Sequence, residues 1–128
     1  MSEPRPEKTC VSCGRSFAYR KAWARVWAAV KYCSSACRSH RPKAPDRALE
    51  ETILSLLRAR GAGKTICPSE AARAVFGETQ GLQAECMQRS RAAARRLCAQ
   101  GRLVVTQGGH VVDPDRARGP IRLKLKEV

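Results

Sequence analysis

Apolar residues between positions 46 and 60 recur at the spacing of one face of an α-helix. The face is formed by Leu49, Ile53, Leu56 and Leu57. A stripe of this kind packs against a core in a globular domain, so we predict an amphipathic helix of about three turns. Asp46 is a candidate N-cap for this helix, and the segment Gly61-Ala-Gly63 is expected to end it.

Two further helices are predicted downstream of the first. Pro68 opens a segment over residues 69–76 that Gly77 closes. The third helix is predicted for residues 82–100, and its buried face is expected to comprise Met87, Ser90, Ala94, Leu97 and Cys98. The opposite face, expected to point into solvent, carries Gln88, Arg89, Arg95 and Arg96. We expect Arg91, at the edge of the buried face, to pair with an acidic residue of the first helix.

Short extended segments complete this part of the chain. Residues 64–67 form one, and two β-branched runs over 102–107 and 110–113 flank a Gly-Gly pair, which predicts a β-hairpin. Residues 121–126 alternate apolar with basic side chains, as a strand does when one face meets a core. The order helix, short strand, helix, turn, helix, hairpin is typical of a winged helix-turn-helix domain, which we predict for residues 46–128.

Four cysteines give the first third of the chain a different character. Cys10 and Cys13 form one close pair, and Cys33 and Cys37 form another after nineteen intervening residues. Tetrahedral sets of four thiolates at such spacings are typical of structural Zn²⁺ sites. We therefore predict a small, treble-clef-like Cys₄ zinc finger over residues 1–43. A segment of this size buries too little surface to fold without its metal.

Between the cysteine pairs, the segment from Phe17 to Lys31 is predicted to be helical. Its aromatic and apolar positions fall on one helical face, which carries Trp23, Val26, Trp27 and Val30. We expect the two tryptophans to pack over the zinc site, the alternative being a face that stacks on bases or docks a partner. Ser34 is a plausible N-cap for a short helix that carries Cys37, and His40 is a weaker candidate ligand. Residues 1–9 are expected to be disordered.

Composition adds a strong positive charge to this picture. The formal net charge is +14, with ten basic and two acidic residues in 1–45 and fifteen basic and nine acidic residues in 46–128. Such a balance favours a polyanionic partner, so we predict a nucleic-acid-binding accessory or regulatory protein, with DNA favoured over RNA. The candidate contacts are Gln88, Arg89, Arg95, Arg96, Arg102 and His110. The alternative is an adaptor that docks on another protein through the finger and the winged helix, with no contact to nucleic acid.

Several function classes are not expected from this sequence. No apolar run approaches the roughly 20 residues that span a membrane, and the start lacks the apolar core of a signal peptide, so a cytoplasmic protein is expected. Neither histidine has a nucleophile or carboxylate beside it, and a closed Cys₄ site leaves no position for water. We therefore expect neither an enzyme nor a small-molecule substrate. The three other cysteines, Cys67, Cys86 and Cys98, are expected to be small buried apolar residues.

Two stretches of the chain resemble known families. Residues 9–27, which begin Thr-Cys-Val-Ser-Cys-Gly, and the later Tyr-Cys-Ser-Ser-Ala-Cys-Arg resemble a small uncharacterised bacterial Cys₄ family. Their cysteine pattern is also similar to treble-clef fingers such as the short gyrase-inhibiting zinc proteins. The later motifs Gly-Lys-Thr-Ile-Cys-Pro-Ser-Glu-Ala-Ala-Arg, Arg-Ala-Ala-Ala-Arg-Arg-Leu and Arg-Gly-Pro-Ile-Arg-Leu resemble a second uncharacterised bacterial family with a predicted winged-helix fold. Ser90 departs from that family's pattern, which tends to carry an apolar residue there. The resemblances imply zinc ligation by the four cysteines and no established activity.

Overall fold

Residues 6–126, the part of the chain that the computed structural model describes, form an α+β structure with four α-helices and two small antiparallel sheets. The helices are α1 (Ser35–Ser39), α2 (Ala44–Arg60), α3 (Pro68–Phe76) and α4 (Ala84–Ala99). The strands are β1 (Glu7–Thr9), β2 (Ser16–Ala18), β3 (Thr65–Ile66), β4 (Leu103–Gln107), β5 (His110–Val112) and β6 (Arg122–Leu125). Within this part of the chain, no helix has both the length and the apolar character needed to cross a membrane.

The larger sheet has the strand order β3-β6-β4-β5, with antiparallel neighbours throughout. Strands β4 and β5 form the hairpin predicted around the Gly-Gly pair, with Gln107 opposite His110. Gly108 and Gly109 both have positive φ, at 56° and 83°, as the central residues of a type I′ hairpin turn do, and glycine adopts these values without strain. Strand β6 lies between β3 and β4, so the last strand of the described chain is one of the two inner strands of the sheet.

Helices α2, α3 and α4 enclose an apolar core with this sheet. Most residues of the predicted helical stripes are buried there, and so are Ile121 and Leu123 from the alternating segment. Leu54 and Ala93 are also buried, although neither was predicted to face the core. Of the three cysteines outside the cluster, Cys86 is buried, whereas the other two, Cys67 and Cys98, are only partly buried.

Ser90 is fully buried under α4, and its polarity is satisfied locally. Its hydroxyl donates to the carbonyl oxygen of Pro68 over 2.7 Å. Pro68 begins α3, so this bond ties the start of α3 to the middle of α4. An apolar residue at this position would leave that carbonyl without the bond that it accepts from the serine.

Two of the predicted boundaries are wrong. Helix α2 begins at Ala44, and Asp46 is its third residue rather than its N-cap; the Asp46 carboxylate accepts from the backbone N–H of Lys43 over 2.8 Å. Residues 7–9 form strand β1 instead of being disordered, because they pair with β2. The rest of the segment expected to be disordered includes residues 1–5, which lie outside the described residues.

The helix predicted from Phe17 to Lys31 is also wrong. The segment contains strand β2 and two short 3-10 turns, Lys21–Trp23 and Trp27–Ala29. The ammonium group of Lys8 on β1 donates to the carbonyl oxygens of Trp27 and Val30, and Val11 N–H donates to the carbonyl of Lys31 over 3.0 Å. These contacts draw the end of the segment away from helical hydrogen bonding. The rings of Phe17, Tyr19, Trp23 and Trp27 pack against one another with centroids 5.4–5.9 Å apart.

Candidate metal centre and the covered face of helix α4

The sulfur atoms of the two predicted cysteine pairs meet in one cluster. All four Sγ atoms, from Cys10, Cys13, Cys33 and Cys37, lie within 4.8 Å of one another. Cys33 Sγ is 3.8 Å from Cys13 Sγ and 3.5 Å from Cys37 Sγ. A tetrahedron of sulfurs bonded to an ion at about 2.3 Å has edges of about 3.8 Å, so the cluster has the dimensions of a metal site. These four residues can hold one metal ion.

Local backbone structure positions each cysteine pair. After β1, the chain turns so that Gly14 N–H donates to the Cys10 carbonyl over 3.0 Å, and Cys13 N–H points at Cys10 Sγ over 3.5 Å. Cys33 precedes α1 and Cys37 lies within its first turn. As predicted, Ser34 caps α1, because its hydroxyl oxygen accepts from Cys37 N–H over 3.2 Å.

The weaker candidate ligand, His40, lies outside the sulfur cluster. His40 follows α1, and its Nδ1 is 2.8 Å from the carbonyl oxygen of Ala36 in the first turn of that helix. The four-sulfur set therefore agrees with the ligands expected from the cysteine spacing, without the histidine.

Within the cluster the thiols differ in acidity. Burial opposes ionisation of Cys10, but backbone N–H groups directed at its sulfur lower its pKa to about 7. Burial, together with the neighbouring Cys10 and Cys33 sulfurs, raises the pKa of Cys13 to about 12. Burial also raises the pKa of Cys33, and the adjacent Cys37 sulfur adds to that effect. The thiols therefore ionise unequally, and a cation entering the cluster displaces the remaining protons.

The turn between Cys10 and Cys13 lies directly on helix α4. Arg95 Nε donates to the Cys13 carbonyl over 2.7 Å, and Arg96 Nη1 donates to the Ser12 carbonyl over 2.7 Å. Gly14 has φ +76°, and a Cβ built on it would lie 2.6 Å from the backbone nitrogen of Arg96. The cysteine-containing segment and helix α4 are therefore in close backbone contact.

The prediction that Arg96 points into solvent is wrong. Its side chain is only 6% exposed, and its Nε lies 3.3 Å from a carboxylate oxygen of Glu50 on α2. The cysteine turn covers it from the other side through Ser12. A helical wheel shows which side of α4 meets α2 and the sheet, but not that a distant segment covers the opposite side.

Two further arginines of α4 have intramolecular partners. Arg89 makes a bidentate ion pair with Asp46, with Nε–Oδ1 and Nη2–Oδ2 distances of 2.9 and 3.1 Å. Arg95 is partly buried, and burial together with the nearby Arg15 lowers its pKa. Asp46 and Glu50 of α2 pair with Arg89 and Arg96. The pairing predicted for Arg91 is wrong, because Arg91 donates to the Gly119 carbonyl over 3.1 Å.

Three members of the predicted nucleic-acid set are exposed, as expected: Gln88, Arg102 and His110. The structure does not bring the six residues together as one exposed surface, and a role for any of them in binding nucleic acid stays a prediction. Sequence reasoning missed Arg15, which lies beside α4 together with Arg91 and Arg95 around a cleft. The only sequence signal for Arg15 was its position two residues after Cys13, a predicted metal ligand.

We predict that Gly14→Ala destabilises the protein more than Gly63→Ala does. Both glycines have similar positive φ, at 76° and 78°, but only Gly14 faces protein atoms at the Cβ position. Both variants carry the left-handed backbone penalty of roughly 1–2 kcal/mol, and Gly14→Ala should lose about 1–3 kcal/mol more from overpacking against α4. Urea unfolding of the two purified variants measures the difference. Equal losses would contradict close docking of the turn on α4.

The Asp46–Arg89 pair should contribute an acid-sensitive part of the stability. Although burial alone would raise it, the bonds from Arg89 and Lys43 N–H hold the pKa of Asp46 below its usual value. The pair's contribution is thus complete above the unfolded-state pKa of about 3.9 and is lost as pH falls through the lower folded-state value.

We predict that Asp46→Asn lowers the free energy of unfolding at pH 7 by about 1–3 kcal/mol, because it leaves a partly buried arginine without its counter-charge. Between pH 5 and pH 2, this variant should lose less additional stability than the unsubstituted protein. Asp113→Asn, at an exposed position, is the matched control and should keep the full acid sensitivity. Urea titrations at each pH measure these changes, and parallel pH profiles for all three proteins would disprove the assignment.

Comparison with known families divides the chain into a cysteine-containing segment and a following helical part. Residues 2–40 match a family described as an uncharacterized protein conserved in bacteria (DUF2256). Residues 46–126 match a family described as a protein of unknown function (DUF3253). These matches confirm the two resemblances seen in the sequence, and the cysteine cluster lies within the first of them. No curated protein matches the chain. The match to residues 46–126 covers more than half of the chain, which therefore belongs to the DUF3253 family.

Proposed function

We propose that this chain is a zinc-containing nucleic-acid-binding accessory or regulatory protein, with DNA as the favoured partner. The proposal treats residues 46–126 as a winged-helix unit. In support, α2, β3, α3 and α4 follow in the expected order, and β6 lies between β3 and β4. Strand β5 then belongs to an extended wing on the outer edge of β4.

Zinc is the metal that best fits the four-sulfur cluster. Zn²⁺ accepts four thiolates in closed tetrahedral sites, and the 3.8 Å separation of Cys13 and Cys33 sulfurs matches that geometry. A bound ion would supply positive charge that stabilises the thiolates and cross-links the two cysteine pairs. With all four positions filled by sulfur, we assign it a structural role.

We predict that the purified protein holds one zinc per chain and that Cys33→Ser largely abolishes this stoichiometry. Cys67→Ser is the matched control: Cys67 is outside the cluster at the N-cap of α3, where serine is favoured. Elemental analysis and native mass spectrometry measure the metal content. Equal zinc in both variants would exclude the cluster as the metal site.

The distribution of charge on the cysteine-containing segment is the observation that carries the nucleic-acid proposal. Residues 6–43 hold nine Lys and Arg against the single acid Glu7. Eight of the nine basic residues are exposed: Arg15, Arg20, Lys21, Arg25, Lys31, Arg38, Arg41 and Lys43. Exposed cationic side chains at this density attract phosphates and release counterions on binding. Phosphate contacts from this surface therefore supply most of the proposed affinity.

Base reading by Arg95 and Arg96 has little support, because both already donate to protein carbonyls. Of the six candidate residues, Gln88, Arg102 and His110 are exposed and remain candidates for contacts to DNA. We therefore propose binding that depends mainly on the phosphate backbone and only weakly on base sequence.

We predict that the triple variant Arg20→Gln, Lys21→Gln, Arg25→Gln binds a DNA duplex at least about tenfold more weakly at low salt. The slope of log affinity against log salt should fall by about 0.9 for each phosphate that the variant no longer neutralises. The control triple variant Arg58→Gln, Lys64→Gln, Arg118→Gln removes the same charge from exposed sites outside the cysteine-containing segment. Fluorescence anisotropy at several salt concentrations measures both. Equal weakening by the two triple variants would show that binding depends on net charge and not on the cysteine-containing segment. Absence of binding to duplex or single strands at low salt would disprove the proposal.

An adaptor that docks on another protein is the second candidate. It is favoured by an apolar depression beside the aromatic rings, lined in part by Trp23, Val26, Val30 and Tyr32. Val26 is 52% exposed, which is unusual for a large apolar side chain next to two tryptophans. A stoichiometric protein partner that survives nuclease and high salt would favour this candidate over nucleic acid.

A further inference from the structure

A cleft of about 450 Å³ opens between the cysteine-containing segment, helix α4 and the connection from β5 to β6. Its volume lies in the range of ordinary ligand sites. It combines a cationic wall with an apolar floor. The wall carries Arg15, Gln88, Arg91 and Arg95, and the floor carries Ala94, Val105, Pro114, Ala117 and Ile121.

Two arginines of the cationic wall, Arg91 and Arg95, are held in place by hydrogen bonds that leave most of their donors free. Gln88, Arg91 and Arg95 are spaced by three and four residues, so they follow one another along one face of α4. Arg91 donates one hydrogen bond to the Gly119 carbonyl, and Arg95 donates one to the Cys13 carbonyl. A guanidinium group has five N–H donors, so each keeps several for a ligand.

Arg15 supplies a third positive group from the cysteine-containing segment. Within residues 6–126, no hydrogen bond or ion pair engages its side chain. Among these residues the lining of the cleft also contains no carboxylate. Asp115, which is not part of the lining, attracts Arg95 electrostatically and accepts from Ser16 N–H through Oδ2 over 3.0 Å. A single carboxylate outside the cleft still leaves the three guanidinium groups with a net positive charge. Three guanidinium groups without an acidic partner in the lining favour an anionic ligand.

The opposite wall is also well defined. The Gln107 side-chain amide donates to the carbonyls of Arg118 and Pro120 over 2.6 and 3.1 Å, which fixes the connection that leads into β6. Hydrogen bonds thus hold Arg91, Arg95 and the opposite wall, so that among the three arginines only the Arg15 side chain has to be ordered when a ligand enters.

We propose that this cleft binds a nucleotide phosphate monoester, with its phosphate held by Arg15, Arg91 and Arg95 and its base or sugar against the apolar floor. Arginine suits this role because its planar donors bind phosphate oxygens in pairs. The same chemistry is offered by a free nucleotide and by the phosphorylated end of a strand. The cleft needs no other part of the proposed nucleic-acid surface in order to bind the free nucleotide.

The test is calorimetric titration of the full-length, metal-loaded protein with adenosine 5′-monophosphate and with adenosine. We expect saturable binding of one monophosphate per chain and at least about tenfold weaker binding of adenosine, because charge-assisted bonds to phosphate dominate. A second pair of probes, an oligothymidylate with a 5′-phosphate and the same strand with a 5′-hydroxyl, separates the two sources. Preference for the phosphorylated strand over the free nucleotide identifies a strand end as the ligand, whereas the reverse identifies the nucleotide.

Variants locate the site. Arg15→Gln should weaken monophosphate binding about tenfold, the loss typical of one charge-assisted hydrogen bond, and Arg91→Gln should do the same. Arg58→Gln, an exposed arginine of α2 outside the cleft, should leave it unchanged. Equal effects of Arg15→Gln and Arg58→Gln, or no binding of either phosphorylated probe, would overturn the proposal. Duplex binding by the exposed cations of residues 6–43 can fail while monophosphate binding persists, so the two proposals are tested separately.

Discussion

The bonds from two consecutive arginines of α4 to two consecutive carbonyls of the cysteine turn connect the halves of this protein. Arg95 reaches the carbonyl of Cys13 and Arg96 reaches that of Ser12. Neighbouring helix residues project about 100° apart, so both can reach the turn only if it lies across the helix. Gly14 allows that approach, because its missing side chain leaves room for the α4 backbone. The cysteine cluster and the helical core thus support each other: the cluster shapes the turn, and the helix donates hydrogen bonds to the turn's carbonyls.

This contact changes how charge is arranged inside the molecule. Asp46 and Glu50 lie one turn apart on α2, and each faces an arginine of α4. Burying an ion is costly unless it is paired and hydrogen-bonded. The Arg96 guanidinium donates both to Glu50 and to the Ser12 carbonyl. The cysteine turn therefore helps to stabilise a buried charge on α4.

The sequence predicted the parts of the fold that depend on local periodicity or chemistry. Apolar spacing indicated α2 and α4, paired glycines indicated the β4–β5 hairpin, and cysteine spacing indicated the sulfur cluster. Prediction from the sequence failed where contacts between distant residues determine the local structure. Lys8 bonds to carbonyls near Trp27 disfavour the helix that the local pattern suggests. Likewise, no periodicity in α4 shows that residues 12–14 cover its outer face, so the inward position of Arg96 and the cleft beside Arg15 could not be foreseen.

The covered face of α4 has a consequence for how nucleic acid could be recognised. An arginine that reads guanine must offer a pair of N–H groups in a fixed orientation. Arg96 is buried between Glu50 and the cysteine turn, so presenting it to a base would require the turn to leave α4. Arg15, by contrast, needs no rearrangement to meet a phosphate, and Arg91 and Arg95 keep unused donors beside it. While the cysteine turn is docked on α4, the protein is therefore better suited to contact phosphate groups at the cleft than to place α4 in a major groove.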